Sequence, residues 1–288
     1  MATELQESRE LEEAHRKVHA VWQAMAAGWE RRRQYVSEFS AGVTDWLIAK
    51  LDPQPGQTVL ELAAGPGDTG FEAARGVGKR GRVISTDFAA DMVEVARRRA
   101  DELGVTNVEF RVIDAEQNAL ATDSVDGVIC RWGYSLMLDP GRALAETRRV
   151  LRDDGRLVLS VVGSASDNPW GSLVAHTIVN LGLIPPVDPQ TPGGLFSLAN
   201  HGLLEGLIER AGFENVQIEN MGFRLTFDDF DDYWTFIIEF AGGISILLQS
   251  FPDEQRAAVR EATEKAVEQF RSGTGYDFPG VTVNAVAS

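Results

Sequence analysis

Residues 58–70 read TVLELAAGPGDTG: an apolar run carrying Glu61 near its end, then a complete G-x-G-x-x-G at Gly65, Gly67 and Gly70. The pattern marks a side-chain-free turn between a strand and a helix, where a cofactor can lie against the backbone. Glycine spacing does not choose between adenosine-bearing cofactors, so the surrounding residues have to.

Outward from this turn, residues 57–162 alternate strand-like and helix-like patterns, as a parallel α/β sheet does. Strands are expected at 58–62, 82–86, 108–113, 125–130 and 156–162. Helices are expected at 68–75 and 90–103, and from the Asp139-Pro140 start to 151. Beyond 162 the alternation breaks. An aromatic-bearing segment at 168–181 meets the proline-rich LIPPVDPQTPGG, and a helix resumes at 201–211. FENVQIENMGFRLTF looks like a sixth strand, helices follow at 228–250 and 252–272, and GVTVNAV offers a last, antiparallel strand. The reading is a Rossmann-like, seven-stranded, mostly parallel sheet with helices on both faces. Its divisions are a helical prefix or lid (1–50), a cofactor-binding core (51–163), a lid insertion (164–200) and a C-terminal completion of the core with a helical insertion (201–288).

Composition narrows the function. With 288 residues, 44% of them hydrophobic, the chain can bury a full core. A net charge of −16 argues against binding a nucleic-acid backbone, and the runs at Arg31–Arg33 and Arg97–Arg99 fall in helical patterns as solvated faces. A single cysteine, Cys130, excludes an internal disulfide and cysteine-rich metal sites. MATELQESRELEEAH lacks the apolar core of a signal peptide, and FIIEFAGGISILLQSF is interrupted by Glu239 and Gln249, so a cytoplasmic protein without membrane insertion is expected. His15 and His19 have a metal-ligand spacing but no third ligand nearby, and no metal is expected.

A carboxylate beside the turn is unwelcome to a pyrophosphate, whereas S-adenosylmethionine (SAM) carries an ammonium and a sulfonium and no phosphate. Glu61 therefore favours SAM; its structural alternative is a capping or salt-bridging glutamate. Asp87, about 20 residues past the glycines, suits a ribose diol in either cofactor. Asp114, in VIDAE, is placed either to meet an adenine amine or to cap Glu116-Gln117.

VLELAAGPGDTG, VISTDFAADMVEVARRRA, VIDAE and SVDGVICRWGYSLMLDPGRALAETRRVLRDDGRLVLSV, in this order and spacing, resemble the successive motifs of class I SAM-dependent methyltransferases. Within them the chain resembles the branch with the ubiquinone/menaquinone C-methyltransferases (methyltransferase type 11). The resemblance implies that Glu61, Ala63, Gly65 and Gly67 surround the methionine part of SAM and that Asp87 holds the ribose. It further implies that Phe88 and Met92 flank the adenine, that Asp114 and Ala115 meet its amino edge, and that Arg131 lines the floor, largely through its backbone. Trp29 is counted with this set.

For the acceptor the sequence says less, because an in-line methyl displacement needs alignment in a dry site more than a dedicated catalytic residue. A small, partly apolar acceptor (O, C or N) is expected, with Trp132, Tyr134, Trp170, Phe196 and Trp234 as pocket candidates and His176 and His201 as weak candidates for a base. The rival readings are a nicotinamide-dependent oxidoreductase on the same turn and a SAM-binding protein without methyl transfer.

Overall fold

The computed structural model describes residues 2–288, with side chains from Glu13 onward. The side chains of the charged opening stretch up to residue 12 lie outside the described residues.

Helix α1 (Ala2–Leu51) is continuous for 50 residues. Met25, Ala26, Val36, Ser40, Val43, Leu47 and Leu51 are buried along it, a stripe at three- and four-residue spacing that lays the helix on the sheet. The core follows as β1 (Thr58–Glu61), α2 (Asp68–Val77), β2 (Arg82–Asp87), α3 (Ala90–Leu103), β3 (Val108–Val112), β4 (Val125–Arg131), α4 (Pro140–Val150) and β5 (Leu151–Val162). Then come α5 (Pro169–Asn180), α6 (His201–Arg210), β6 (Gln217–Phe227), α7 (Phe230–Phe240), α8 (Gly243–Ser250), α9 (Asp253–Val267), the two-residue β7 (Arg271–Ser272) and β8 (Gly275–Ala287).

The strand order is β3-β2-β1-β4-β5-β8-β6, with β7 hairpinned onto β8. β1 to β5 pair in parallel, and β8 runs antiparallel between β5 and β6. Alternate residues of β1 enter opposite cores, as in a strand covered on both faces. Val59 joins the core under α1, α2, α5, α7 and α9, while Leu60 joins that under α4 and α6. Chain order reverses between β1 and β4, and the carboxyl ends of these strands open a crevice there.

The structure differs from the sequence expectation in three places. β5 is paired from Leu151 rather than 156, because residues 152–155 bulge out between the Val125↔Leu151 and Gly127↔Arg156 pairs. The helix expected at 228–250 breaks at Gly242, whose φ of 47° and ψ of −111° no helix accommodates. The segment expected as helix to 272 leaves it at Val267 and turns into β7.

The arginine runs are not simply solvated faces. Arg32 is largely buried and holds Asp232 (2.6 Å) and Glu239 (3.0 Å) of α7. Arg99 is buried against Asp68 at 2.7 Å. These side chains staple the helices together, leaving the exposed arginines of each run to the surface. No helix among the described residues is long and apolar enough to cross a membrane.

Candidate functional site

The glycine turn is shaped by its own backbone and by two carboxylates. Gly65 and Gly67 adopt φ of 53° and 89°, in the left-handed region that favours glycine. Gly67 stands immediately before α2, and a Cβ there would come within 2.6 Å of the Phe71 ring. Glu61, at the end of β1, is buried; its Oε1 accepts from the Gly70 N–H in the first turn of α2 (2.7 Å) and its Oε2 from the Ser85 hydroxyl (2.7 Å). Gly70 has no room for a side chain, since a Cβ would overlap the Glu61 carboxylate. Asp87, at the end of β2, accepts from the Gly65 N–H (3.0 Å) and the Ala89 N–H (2.9 Å). Burial pushes the Glu61 carboxyl up to about 7 and that of Asp87 up to about 6.

A cavity lies over this turn. Its floor comes from the ends of four strands: Glu61, Ala63 and Gly65 after β1; Asp87, Phe88 and Met92 after β2; Asp114 and Ala115 after β3; Arg131, Trp132 and Gly133 after β4. Its roof comes from α1, which lowers His15, Val18, Trp22 and Trp29 onto it, and one wall from Leu136, Met137 and Leu138. Trp29 covers Gly65, stacks on Phe240 with ring centroids 4.1 Å apart, and keeps a buried indole Nε1 without a hydrogen-bond partner.

The cofactor candidates thus converge, with one exception. Gly67 does not line the cavity: its role is the turn into α2. For Glu61 and Asp114 the structure shows the capping contacts, and both residues also line the cavity. Glu61 caps the start of α2 and faces the cavity; Asp114 Oδ1 accepts from the Glu116 N–H at 2.9 Å and its Oδ2 stands 3.9 Å from His15 Nδ1. The side chain of Arg131 reaches Ser40 and Thr44 of α1.

Most acceptor candidates lie elsewhere. Trp132 lines the cavity, with φ +64° and its Nε1 donating to Thr282 Oγ1 at 3.3 Å. Tyr134 is fully buried in the core under α4, its hydroxyl 2.7 Å from that of Thr147. Trp170 is buried against Phe223, Phe236 and Phe240, its Nε1 satisfied by Asn168 Oδ1 at 3.1 Å. Phe196 packs on that same core, and Trp234 faces a shallow groove beside α8 and α9. His176 is exposed on α5, and His201 Nε2 donates to Asn220 Oδ1 at 2.7 Å on the surface. Neither histidine reaches the cavity.

Reading single motifs missed His15, Val18, Trp22, Glu116 and the 136–138 wall. Spacing carried the signal for the first three, since residues 15, 18, 22 and 29 share one helical stripe. Glu116 is buried and bridges two parts: its Oε1 accepts from the Leu138 N–H at 2.8 Å and its Oε2 lies 3.4 Å from His15 Nε2. Among the described residues no cluster of His, Cys, Asp or Glu is placed to hold a metal.

The methyltransferase-domain family model matches residues 53–183. The ubiquinone/menaquinone biosynthesis C-methyltransferase UbiE of Acidiphilium cryptum is 32% identical over 184 residues, covering 60% of this chain and 73% of that protein. The YcgJ protein of Bacillus subtilis shares the fold at a TM-score of 0.60 and 20% identity, over 86% of this chain and 97% of that one. Haemonchus contortus phosphoethanolamine N-methyltransferase 2, solved with S-adenosyl-L-methionine, does so at 0.52 and 16%, over 86% of this chain and 52% of that one. The chain belongs to the class I SAM-dependent methyltransferases. Within that class it falls in the branch of the ubiquinone/menaquinone C-methyltransferases; it is a SAM-dependent enzyme.

The donor set fits SAM. The N–H groups of Gly65 and Gly70, at the turn and the start of α2 where a pyrophosphate would need donors, are already taken by Asp87 and Glu61, so the turn offers its ligand carboxylate oxygens in place of free donors. That disposition opposes a nicotinamide dinucleotide.

Proposed function

We propose that the cavity holds SAM along the strand ends and presents its methyl group to a small, partly apolar acceptor. Glu61, Ala63 and Gly65 take the methionine part, Asp87 the ribose, Phe88 and Met92 the faces of the adenine, and Asp114 with Ala115 its amino edge, under Trp29. The observation that carries this reading is the capture of the turn's N–H groups by two buried carboxylates, which suits a cofactor with an ammonium and a sulfonium and no phosphate.

SAM bound there supplies an electrophilic methyl group for in-line displacement by an O, C or N nucleophile. The chain's own part is alignment and dryness. Trp132, Leu136, Met137 and Leu138 wall the side on which an acceptor would lie, and α1 excludes water from above. No histidine candidate for a base reaches this wall, so the reading assigns the rate to positioning. A cytoplasmic setting fits Cys130, a lone buried thiol pushed up to about 12 by burial.

Calorimetry with SAM, S-adenosylhomocysteine (SAH) and NAD tests the site: the first two should bind and NAD should not. Incubation with methyl-labelled SAM and a panel of quinols, phenols and amines should give a product heavier by one methyl group. NAD binding in place of SAM, or SAM binding with no product from any acceptor class, would sink the reading.

A further inference from the structure

We propose that Arg131 is a positioning residue of the methyl-donor site: its buried guanidinium ties the roof helix α1 to the glycine turn and supplies the positive charge behind the Glu61 carboxylate. The inference rests on the reading that Glu61 faces the methionine part of the cofactor.

Arg131 ends β4, and its side chain is only 7% exposed. A guanidinium at such a place is costly unless its hydrogen bonds and its charge are both met. Here Nη1 donates to Ser40 Oγ and to Thr44 Oγ1 (3.1 Å), both on α1, and Nη2 stands 3.6 Å from Asp68 Oδ2. Asp68 opens α2, and its other oxygen holds Arg99 Nη2 of α3 at 2.7 Å. Arg99 in turn donates to the Pro66 carbonyl inside the glycine turn at 2.8 Å. One buried chain of contacts therefore runs from the roof, through Arg131, Asp68 and Arg99, to the turn beneath the cofactor.

The same guanidinium sets the charge of the floor. Glu61 is faced by Asp68 from α2, by the Ser85 hydroxyl from β2, and by the Cys130 thiol and Arg131 from β4, with Arg99 of α3 behind Asp68; the Arg131 guanidinium also meets the hydroxyls of Ser40 and Thr44 on α1. Burial raises the Glu61 carboxyl, the hydrogen bonds from Ser85 and the Gly70 N–H lower it, and beyond these the Arg131 charge lowers it while Asp68 raises it. Burial already lifts that carboxyl to about 7, so its charge near neutrality is decided by its neighbours. The ionised form attracts the cofactor ammonium. Affinity should accordingly rise with pH through about 7, and loss of the Arg131 charge should move that rise to higher pH.

Calorimetric titration with SAH from pH 5.5 to 8.5 reads this without turnover. Arg131→Met should raise the midpoint by about one unit and weaken binding about fivefold at pH 7, with recovery at the alkaline end. Arg131→Lys keeps the charge and should keep the midpoint, while hydrogen exchange around Ser40 and Thr44 accelerates because the forked contact is lost. Glu61→Gln should remove the rise near 7 and leave only that of Asp87 near 6, and adding Arg131→Met to it should bring back no rise near 7. A wild-type midpoint in folded Arg131→Met overturns the proposal. If circular dichroism shows that variant unfolded, Arg131→Gln takes its place, and an unmoved midpoint there overturns it equally. Unchanged SAH affinity in Glu61→Gln alone overturns the donor-site reading itself, and this inference with it.

Discussion

In the floor of the cavity and just beneath it, the Gly65 and Gly70 N–H groups each meet a buried carboxylate; in the roof, the buried indole nitrogen of Trp29 has no partner. The floor is built from the ends of four neighbouring strands, whose places the sheet fixes. The roof is one long helix, joined to the sheet by packing, by Arg131 and by ion pairs such as Arg98 with Glu30 at 2.8 Å. A turn whose N–H groups are committed to buried carboxylates tolerates little change, and a helix held largely by apolar contact can move and be altered. The floor should therefore break sharply under mutation and the roof gradually.

The largest effect should come from Gly70→Ala. The new Cβ would overlap the Glu61 carboxylate, so either the start of α2 or Glu61 must shift, at a cost of about 2–3 kcal/mol of stability. Chemical denaturation measures the loss, and calorimetry should show SAH binding reduced with it. A folded Ala variant of ordinary stability and affinity would mean that the floor is as pliable as the roof.

Asp87 comes next. Truncation to Ala would strand the Gly65 and Ala89 N–H groups, so a lost ligand contact would be mixed with a damaged turn. Asp87→Asn keeps the shape and strands only one of the two N–H groups, and should weaken SAM binding by about 2 kcal/mol with a smaller loss of stability than Asp87→Ala. Unaltered affinity would remove Asp87 from the ribose.

In the roof, Trp29→Ala should cost about 1 kcal/mol of cofactor affinity, mostly as faster dissociation, because the stack on Phe240 and the cover over Gly65 are lost together. Trp29→Phe should recover most of that cost, since no hydrogen bond of the indole is spent. Stopped-flow tryptophan fluorescence, with SAH displaced by excess SAM, gives the rates. A Phe variant as weak as Ala would show that the indole nitrogen finds its partner in the ligand.

The same contrast explains what the sequence makes legible. A left-handed turn demands glycine and a buried N–H demands an acceptor, so Gly65, Glu61 and Asp87 can be placed from local chemistry alone. Aromatic side chains carry no such demand. Tyr134, Trp170 and Trp234 are aromatic like Trp29 and Trp132, yet Tyr134 is drawn into the core under α4, Trp170 into that between β6 and α7, and Trp234 to the groove beside α8 and α9. Which face an aromatic residue meets is settled by tertiary packing, and only the stripe along α1 leaves a periodic trace of it. The breaks at Gly242 and at the β5 bulge belong with the aromatics, since local propensity allows a longer helix and a shorter strand in those places.

The smallest effect concerns the segment 183–196, expected as a lid because Pro185, Pro186, Pro189 and Pro192 stiffen it and Gly193-Gly194 offer a hinge. None of its residues lines the cavity, and its turns are closed internally, with Thr191 N–H donating to Asp188 O at 3.1 Å and Gly194 N–H to Thr191 O at 3.1 Å. It reaches the site at one remove. Ser197 Oγ donates to the Ser135 carbonyl at 2.7 Å, and a Cβ at Gly193, where φ is +80°, would come within 3.1 Å of Leu138 Cδ2 in the acceptor wall. Replacing Gly193-Gly194 by Ala-Ala should thus press on the wall without touching the floor, lowering turnover about two- to fivefold while cofactor affinity stays within a factor of about two. Hydrogen exchange over 183–196 should slow when SAH and an acceptor that turns over are both bound, and much less with SAH alone. Equal exchange in the free and doubly liganded protein, with wild-type turnover in the alanine variant, would make this segment a connector and leave α1, around Trp22 and Trp29, as the gate through which the acceptor enters.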